Sequence, residues 1–497
     1  MDIRQEPPTS DVDTIVVLAA GAGTRMRSVK PKVLHTIGGR PLLWHALKAA
    51  TELEPEHLVA VIGHEREQVG KYLLQEHPQV SQVIQYEQLG TGHAVACALD
   101  GRTDIIGTVL VTCGDVPLLT SETLRKLLAA HQASRNAVTV LTAVVVDPTG
   151  YGRIVRDDSG LVAAIVEHKD ASADLLAIRE INSGVYAFDG VVLAGALTRL
   201  TSANAQGERY LTDVLAVARA DGQRVGAMVA DDPAETEGVN DRVQLSELSR
   251  VLNARIVRRA QLDGVTVIDP ATTWIHADVQ IGRDTELLPG TSLESGTQIG
   301  TGCVIGPDTT LSACFVSDGA AVIRSHCSGV WIGPDANVGP FSYLRPGTEL
   351  GASSKVGAFV EIKKSRLGTH AKVPHLSYIG DAQIGAGANL GAGSITANYD
   401  GKVKSLTIIA ENAFIGSHST LVAPVKVGAG AYVAAGSTVV GDVEAGDLAI
   451  ARGRQHAVKG WVLSRRAGTK SERSARAAGA VDQQRTIPPV VEGDLPA

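Results

Sequence analysis

Residues 331–368 read WIGPDANVGPFSYLRPGTELGASSKVGAFVEIKKSRLG. Ile332, Val338, Leu344, Leu350, Val356 and Ile362 stand six apart in it. A helix would bring apolar residues back every three or four positions, and a strand at every second. A six-residue period fits short strands turning corners in a parallel β-helix, one aliphatic side chain per corner stacked into a thin core. The rhythm extends both ways. Ile281, Leu287, Leu293, Ile299, Ile305 and Leu311 form an earlier run, and Val403, Ile409, Ile415, Leu421, Val427, Val433 and Val439 a later one.

Outward from this repeat the chain changes character. Thr14–Leu18 (TIVVL), residues 57–63 (HLVAVIG), 108–115 (TVLVTCGD) and 137–145 (AVTVLTAVV) are short aliphatic runs separated by helical patterns such as 121–132 (SETLRKLLAAHQ). Alternation of this kind predicts an α/β domain with a largely parallel sheet. Leu245, Leu248, Leu252 and Ile256 fall on one face of a helix joining the two halves. The expected organisation is a disordered lead (1–10), an α/β domain (11–242), a linker helix (243–263), a β-helix domain (264–461) and a disordered tail (462–497).

Composition bounds the function. A formal charge of −7 gives no general pull toward nucleic acid or anionic membrane. Cys97, Cys113, Cys303, Cys314 and Cys327 form no CxxC pair and read as free thiols of a reducing compartment. The polar N-terminus lacks the apolar core of a signal peptide, and no apolar run approaches a membrane span. A cytoplasmic protein is expected.

Two stretches carry chemistry. In the first, the strand ending at Leu18 runs into AAGAGTRMRS and then KPKVL. Gly21 and Gly23 let backbone N–H groups approach phosphate oxygens, and Arg25 and Lys32 neutralise charge. The loop is neither GxGxxG nor GK[ST], so it is no dinucleotide fingerprint and no Walker loop. Asp115 follows an aliphatic strand, where ligands sit in open α/β sheets and where a lone carboxylate suits Mg2+. In the second, the six-residue rhythm breaks at 396–407, TANYDGKVKSLT, downstream of Arg345, Glu361, Lys363, His375 and Tyr378. Singly, Arg345 and Lys363 fit a solvated face, and Asn398–Gly401 fits a turn. Together they ask for a functional reason.

The segments LAAGAGTRM, PKVLH, QLGTGHA, GDVPLL, DPTGYGRIV, IVEHKDA, EINSGVYAF and EGVNDRVQL resemble the sugar-1-phosphate nucleotidylyltransferases. The closest resemblance is to the bacterial bifunctional N-acetylglucosamine-1-phosphate uridylyltransferase / glucosamine-1-phosphate N-acetyltransferase family. The later segments YLRPGTELG, FVEIKKSRLG, KVPHLSYIGDAQIG, NLGAGSITANYDGKVKSLTII and IGSHSTLVAPVKVG match its acetyltransferase half. The likeness spans roughly residues 12–461. It implies a Rossmann-like nucleotidyltransferase domain followed by a left-handed hexapeptide-repeat β-helix.

By that resemblance, Leu18, Ala19, Ala20 and Gly21 line the uridine nucleotide, and Lys32 and Arg25 face the phosphates. Gln85, Gly90 and Thr91 read the uracil. Asp115 and Asn240 hold Mg2+, and Gly152, Glu167 and Asn182 bind N-acetylglucosamine. In the β-helix His375 is the general base. Arg345 and Lys363 hold the phosphate of glucosamine 1-phosphate, and Tyr378 and Asn389 orient its sugar. Ala392, Asn398, Tyr399, Ser417, Ala435 and Arg452 line an acetyl-CoA groove. Lys404 helps bind anionic CoA or sugar phosphate, and Glu361 orients or polarises the base. UTP and acetyl-CoA are the implied co-substrates and UDP-N-acetylglucosamine, a cell-wall precursor, the product. The implied assembly is a homotrimer sharing acetyl sites between chains, with Trp461 reaching a neighbour. A monofunctional nucleotidylyltransferase with a structural β-helix, and a non-catalytic scaffold, are the competing readings.

Overall fold

The computed structural model describes residues 12–102 and 105–481. The expected disordered lead and residues 482–497 of the expected tail lie outside them.

In the N-terminal half the strands run Val225–Val229, Val138–Val144, Glu180–Asp189, Thr108–Cys113, Thr14–Ala19, His57–Ile62 and Ser81–Ile84 across one sheet. Neighbours are parallel except around Glu180–Asp189, which is antiparallel to both of its neighbours. Ile15, Val17, Leu110 and Leu141 pack beneath the helices on one face, and Val16, Val109, Val111 and Val140 on the other. This two-sided burial explains the unbroken aliphatic runs. Strands Arg153–Arg156 and Val162–Val166 form a ribbon attached at Arg153–Ile181.

The C-terminal half is the β-helix. Three parallel sheets of 11, 10 and 9 strands, among the described residues, wrap one aliphatic core. Leu287 pairs with Ile305, Ile305 with Val322, and Val322 with Val338. Coils therefore stack three corners apart, while the six-residue step runs around the triangle. The silent stretch between Leu311 and Ile332 is no interruption. Val316, Val322 and Cys327 fill the corner slots there, in coils shortened by a residue or two, with Cys327 stacked between Leu311 and Leu344.

Two expectations differ from the structure. Val403, counted as the first member of the third run, is exposed in a loop held by Val403 N–H donating to Asp400 Oδ1 at 2.6 Å. Its period was accidental, and Thr396 holds the slot instead, paired with Leu421. Its buried hydroxyl accepts from Gly380 N–H at 2.7 Å, so the polar group is satisfied inside the core. The segment expected to be a disordered tail carries helices Trp461–Arg465 and Lys470–Ala477. Thr469 caps the second, accepting from Glu472 N–H at 3.2 Å, and Glu472 answers by accepting from Gly468 N–H at 2.6 Å. Thr469-x-x-Glu472 is a capping signal that the polar composition concealed.

Helix Arg242–Leu262 joins the halves, capped by the Asp241 carboxylate. Its apolar face divides its labour. Leu245, Leu248 and Leu252 pack against Met26, Ile37, Leu42 and Leu118, whereas Ile256 and Val257 join the β-helix core. Buried Asn253 donates to Thr273 O at 2.8 Å and accepts from Ile275 N–H at 3.0 Å, fastening the first coil. A second seam is the hairpin turn Gly38–Gly39. Ala277 N–H donates to Gly38 O at 2.9 Å, and Arg40 pairs with Asp278 at 2.6 Å. A Cβ on Gly39, whose φ is +76°, would lie 2.0 Å from His276 Nδ1, so the seam requires glycine.

Candidate active sites

A cleft of about 270 Å³ opens at the carboxyl ends of strands Thr14–Ala19 and Thr108–Cys113. Leu18, Ala19, Ala20, Gly21, Lys32, Gln85, Gly90, Thr91 and Asp115 line it, all of them singled out from sequence. Val33, Gln88, Ala94, Cys113 and Glu208 line it too, and no sequence signal assigned them a role. Gly21 faces open space, whereas Gly23 (φ +58°) is packed so tightly on Lys32 that a Cβ would lie 2.5 Å from its stem. Gly23 therefore aims Lys32.

The Lys32 ammonium meets the Asp115 carboxylate and lies 3.4 Å from Asn240 Oδ1. One carboxylate and one amide oxygen thus converge on a single point from distant parts of the chain. No cluster of three His, Cys, Asp or Glu suited to a metal occurs among the described residues. A carboxylate plus an amide oxygen leaves most coordination positions to water and phosphate, which fits Mg2+ rather than Zn2+.

Gly90 (φ +104°) starts helix Thr91–Leu99, and a Cβ there would strike Arg209 O at 2.6 Å. Gln85 is buried, donating to Gly90 O at 3.0 Å, and Thr91 Oγ1 accepts from Leu211 N–H at 3.0 Å. These bonds hold the far wall of the cleft rigid. Arg25 is exposed on the turn Thr24–Met26 and is not part of the lining.

Gly152, Glu167 and Asn182 form a second group beyond Cys113. Asn182 N–H donates to Gly152 O at 2.9 Å, and a Cβ on Gly152 would stand 3.3 Å from Glu167 Oε1. Tyr186 OH donates to Asn182 Oδ1 at 2.8 Å, fixing the amide. Burial, with Asp170, Asp213 and Glu208 nearby, raises the Glu167 carboxyl above its ordinary value. Burial and the Asp115 charge push the Cys113 thiol up to about 12, so it is not a nucleophile near neutral pH.

On the β-helix, Arg345 donates to Glu361 Oε1 at 2.9 Å, and Lys363 pairs with Asp381 at 2.9 Å. Asp381 also accepts from Asn398 Nδ2. Asp381 is the residue that sequence reasoning missed. It joins Lys363 to the start of the break loop, and its place after Gly380 gave no signal. Glu361, expected to orient or polarise the base, is engaged by Arg345. Burial opposes ionisation of Asp381, but Lys363 and Asn398 outweigh it and hold the carboxyl below its ordinary value. Lys404 reinforces this, paired across the loop with Tyr399.

His375, Ala392, Ser417 and Ala435 form a column. Each lies two residues beyond a stacked aliphatic (Val373, Leu390, Ile415, Val433) in successive coils of one sheet. Backbone bonds tie the levels: Gly393 N–H to His375 O at 3.4 Å, His418 N–H to Ala392 O at 2.7 Å, and Gly436 N–H to Ser417 O at 2.8 Å. His375 is exposed at one end. Tyr378 pairs with Glu361 and Ile395, and Asn389 with Lys372 and Phe414. Arg452 follows Ala451, whose N–H donates to Ser437 Oγ at 3.2 Å near the last coil.

An open α/β sheet with a phosphate-binding cleft, joined to a six-residue-repeat β-helix with a polar column, defines a nucleotidyltransferase fused to a hexapeptide-repeat protein. Residues 15–177 match the MobA-like NTP transferase domain, and 407–440 the hexapeptide repeat of succinyl-transferase. The β-helix is accordingly of the left-handed kind. The chain is 54% identical over 466 residues to the bifunctional protein GlmU of Streptomyces avermitilis, covering 93% of this chain and 97% of that one. It is 54% identical over 468 residues to that of Corynebacterium efficiens (93% and 96%) and over 460 residues to that of Mycolicibacterium vanbaalenii (92% and 94%). The chain belongs to the bifunctional GlmU family.

Proposed function

We propose that the chain makes UDP-N-acetylglucosamine in two steps at two separate sites. The β-helix acetylates glucosamine 1-phosphate with acetyl-CoA. The N-terminal cleft then transfers UMP from UTP to N-acetylglucosamine 1-phosphate, releasing pyrophosphate. One observation supports this most directly: a single chain carries both the Lys32–Asp115–Asn240 convergence and the Lys363–Asp381–Asn398 cluster.

In the cleft, Gln85, Gly90 and Thr91 receive the base, and the loop from Leu18 to Gly21 receives the nucleotide. Gly152, Glu167 and Asn182 receive the sugar. A sugar-phosphate oxygen attacks the α-phosphorus in line, and pyrophosphate leaves. Lys32 offsets the growing negative charge from the lining, and Arg25 from the exposed turn Thr24–Met26, so positioning and electrostatics suffice without a protein nucleophile. Mg2+, held by Asp115 and Asn240, would supply further charge neutralisation at the phosphates.

On the β-helix, Arg345 and Lys363, held in place by Glu361 and Asp381, bind the sugar phosphate. Tyr378 and Asn389 orient the sugar. Ala392, Ser417 and Ala435, with Asn398, Tyr399 and Arg452, receive acetyl-CoA. The small side chains of the column leave room for a ligand beside His375. The amine attacks the thioester carbonyl, His375 takes the proton, and the CoA thiolate leaves. The exposure of His375 in one chain favours completion of this site by neighbours in a homotrimer. Five unpaired cysteines favour a cytosolic location.

The test is mass spectrometry of one reaction containing glucosamine 1-phosphate, acetyl-CoA, UTP and Mg2+. UDP-N-acetylglucosamine, free CoA and pyrophosphate are expected together. Product formed only from ready-made N-acetylglucosamine 1-phosphate would reduce the β-helix to a scaffold.

A further inference from the structure

Arg153 opens the strand Arg153–Arg156 and is 2% exposed. A buried guanidinium is costly unless a carboxylate and enough acceptors accompany it. Arg153 has neither. It forms no ion pair among the described residues, and its Nε has no partner. Nη1 donates to Tyr151 O, and Nη2 stands 3.5 Å from His168 Nδ1. Its charge is felt by exposed Asp147, whose carboxylate is bound first of all by Thr149.

The two acceptors matter by position. Tyr151 immediately precedes Gly152, and His168 immediately follows Glu167. His168 Nδ1 also accepts from Gly150 N–H at 3.3 Å. Nδ1 thus faces two donors, the Gly150 N–H and the Arg153 guanidinium, and is placed to accept from both. The guanidinium thus ties the loop 147–152 to the end of strand Val162–Val166. Gly152 and Glu167 sit across this tie, with only 3.3 Å between the glycine's Cβ position and Glu167 Oε1.

We propose that Arg153 is a positioning residue for the sugar end of the uridylyl site. It fixes the spacing of Gly152 and Glu167 that admits the N-acetylhexosamine, and it does so as an unpaired buried charge. This rests on the reading of that cleft as the sugar-phosphate site. Replacing a buried ionic group by an apolar one of similar volume is often neutral or stabilising. The position is therefore tuned for geometry at the sugar subsite rather than for stability.

The experiment uses the full-length chain with Arg153→Met, Arg153→Lys, His168→Asn and His168→Leu. UTP and N-acetylglucosamine 1-phosphate are varied independently, and thermal midpoints are measured. Acetyl transfer by the same preparations reports folding. Arg153→Met is expected to raise KM for the sugar phosphate about tenfold or more, to leave KM for UTP nearly unchanged and not to lower the thermal midpoint. Arg153→Lys recovers part of the loss. His168→Asn, whose Oδ1 takes the place of Nδ1, behaves like the unaltered enzyme, and His168→Leu behaves like Arg153→Met. An unchanged sugar-phosphate KM, or equal rises in both KM values with a lowered midpoint, overturns the proposal. If Arg153→Met fails to fold, His168→Leu, which keeps the guanidinium, decides by the same split. An unaltered chain without uridylyl transfer would instead overturn the functional reading beneath it.

Discussion

The Lys32 ammonium and the Asp115 carboxylate are in direct contact, with Asn240 Oδ1 3.4 Å from the same ammonium. Three segments far apart in sequence deliver these groups to one point at the mouth of the nucleotide cleft. Asp115→Ala is expected to lower uridylyl transfer by about 10²–10³-fold, the usual loss when one preorganised charge partner is removed. Acetyl transfer should be unaffected. Separate assays of the two half-reactions check this, and a chelator should reproduce the same asymmetry.

Asp381 holds Lys363 at 2.9 Å and also engages Asn398. Asp381→Ala should lower acetyl transfer about tenfold or more, because Lys363 and the break loop lose their common anchor. Uridylyl transfer should not change. The pH dependence has a definite sign. The folded carboxyl lies below its ordinary value, so its stabilisation is complete above the ordinary carboxylate range and is lost as pH falls through the lowered value. Thermal midpoints measured in acid should fall less steeply for Asp381→Asn than for the unaltered chain.

Glu167 shows the opposite sign. Burial and three neighbouring carboxylates raise its carboxyl, so its stabilisation is complete below the ordinary range and is lost as pH rises. Glu167→Gln should therefore raise the thermal midpoint at neutral pH, with the gain vanishing in acid, and weaken binding of N-acetylglucosamine 1-phosphate. Calorimetry across pH, with substrate titration at neutral pH, tests both halves.

The corner slots give a stability contrast. Leu390 is fully buried between coils, and Leu390→Ala should cost about 2–5 kcal/mol. Val403 is 54% exposed, and Val403→Ala should stay within about 0.5 kcal/mol. Denaturant unfolding followed by circular dichroism separates the two.

That contrast also marks what sequence could and could not deliver. The six-residue rhythm was legible because every coil reuses the same three corners, so one pattern is written many times over. Val403 matched by spacing alone, since periodicity does not distinguish a stacked side chain from a loop residue. Cys327 and Thr396 were overlooked because neither is aliphatic, though each fills a slot. The glycine loop at Gly21 and Gly23 was legible because its chemistry is local, and the lining from Leu18 to Gly21 because the family resemblance falls on one contiguous segment. Asp381 and Arg153 were not, because their importance lies in partners brought together by folding. The Thr469–Glu472 cap was readable but masked by the polarity of the segment around it.

The central claim is that two independent active sites share one chain. It is tested most directly by mixing purified His375→Ala with purified Asp115→Ala in glucosamine 1-phosphate, acetyl-CoA, UTP and Mg2+. Each variant alone should yield far less UDP-N-acetylglucosamine than the unaltered chain, and the mixture should restore it, because one variant supplies the acetylated sugar phosphate and the other consumes it. A folded His375→Ala that converts glucosamine 1-phosphate to product as well as the unaltered chain, or a mixture no better than either variant alone, would contradict the account.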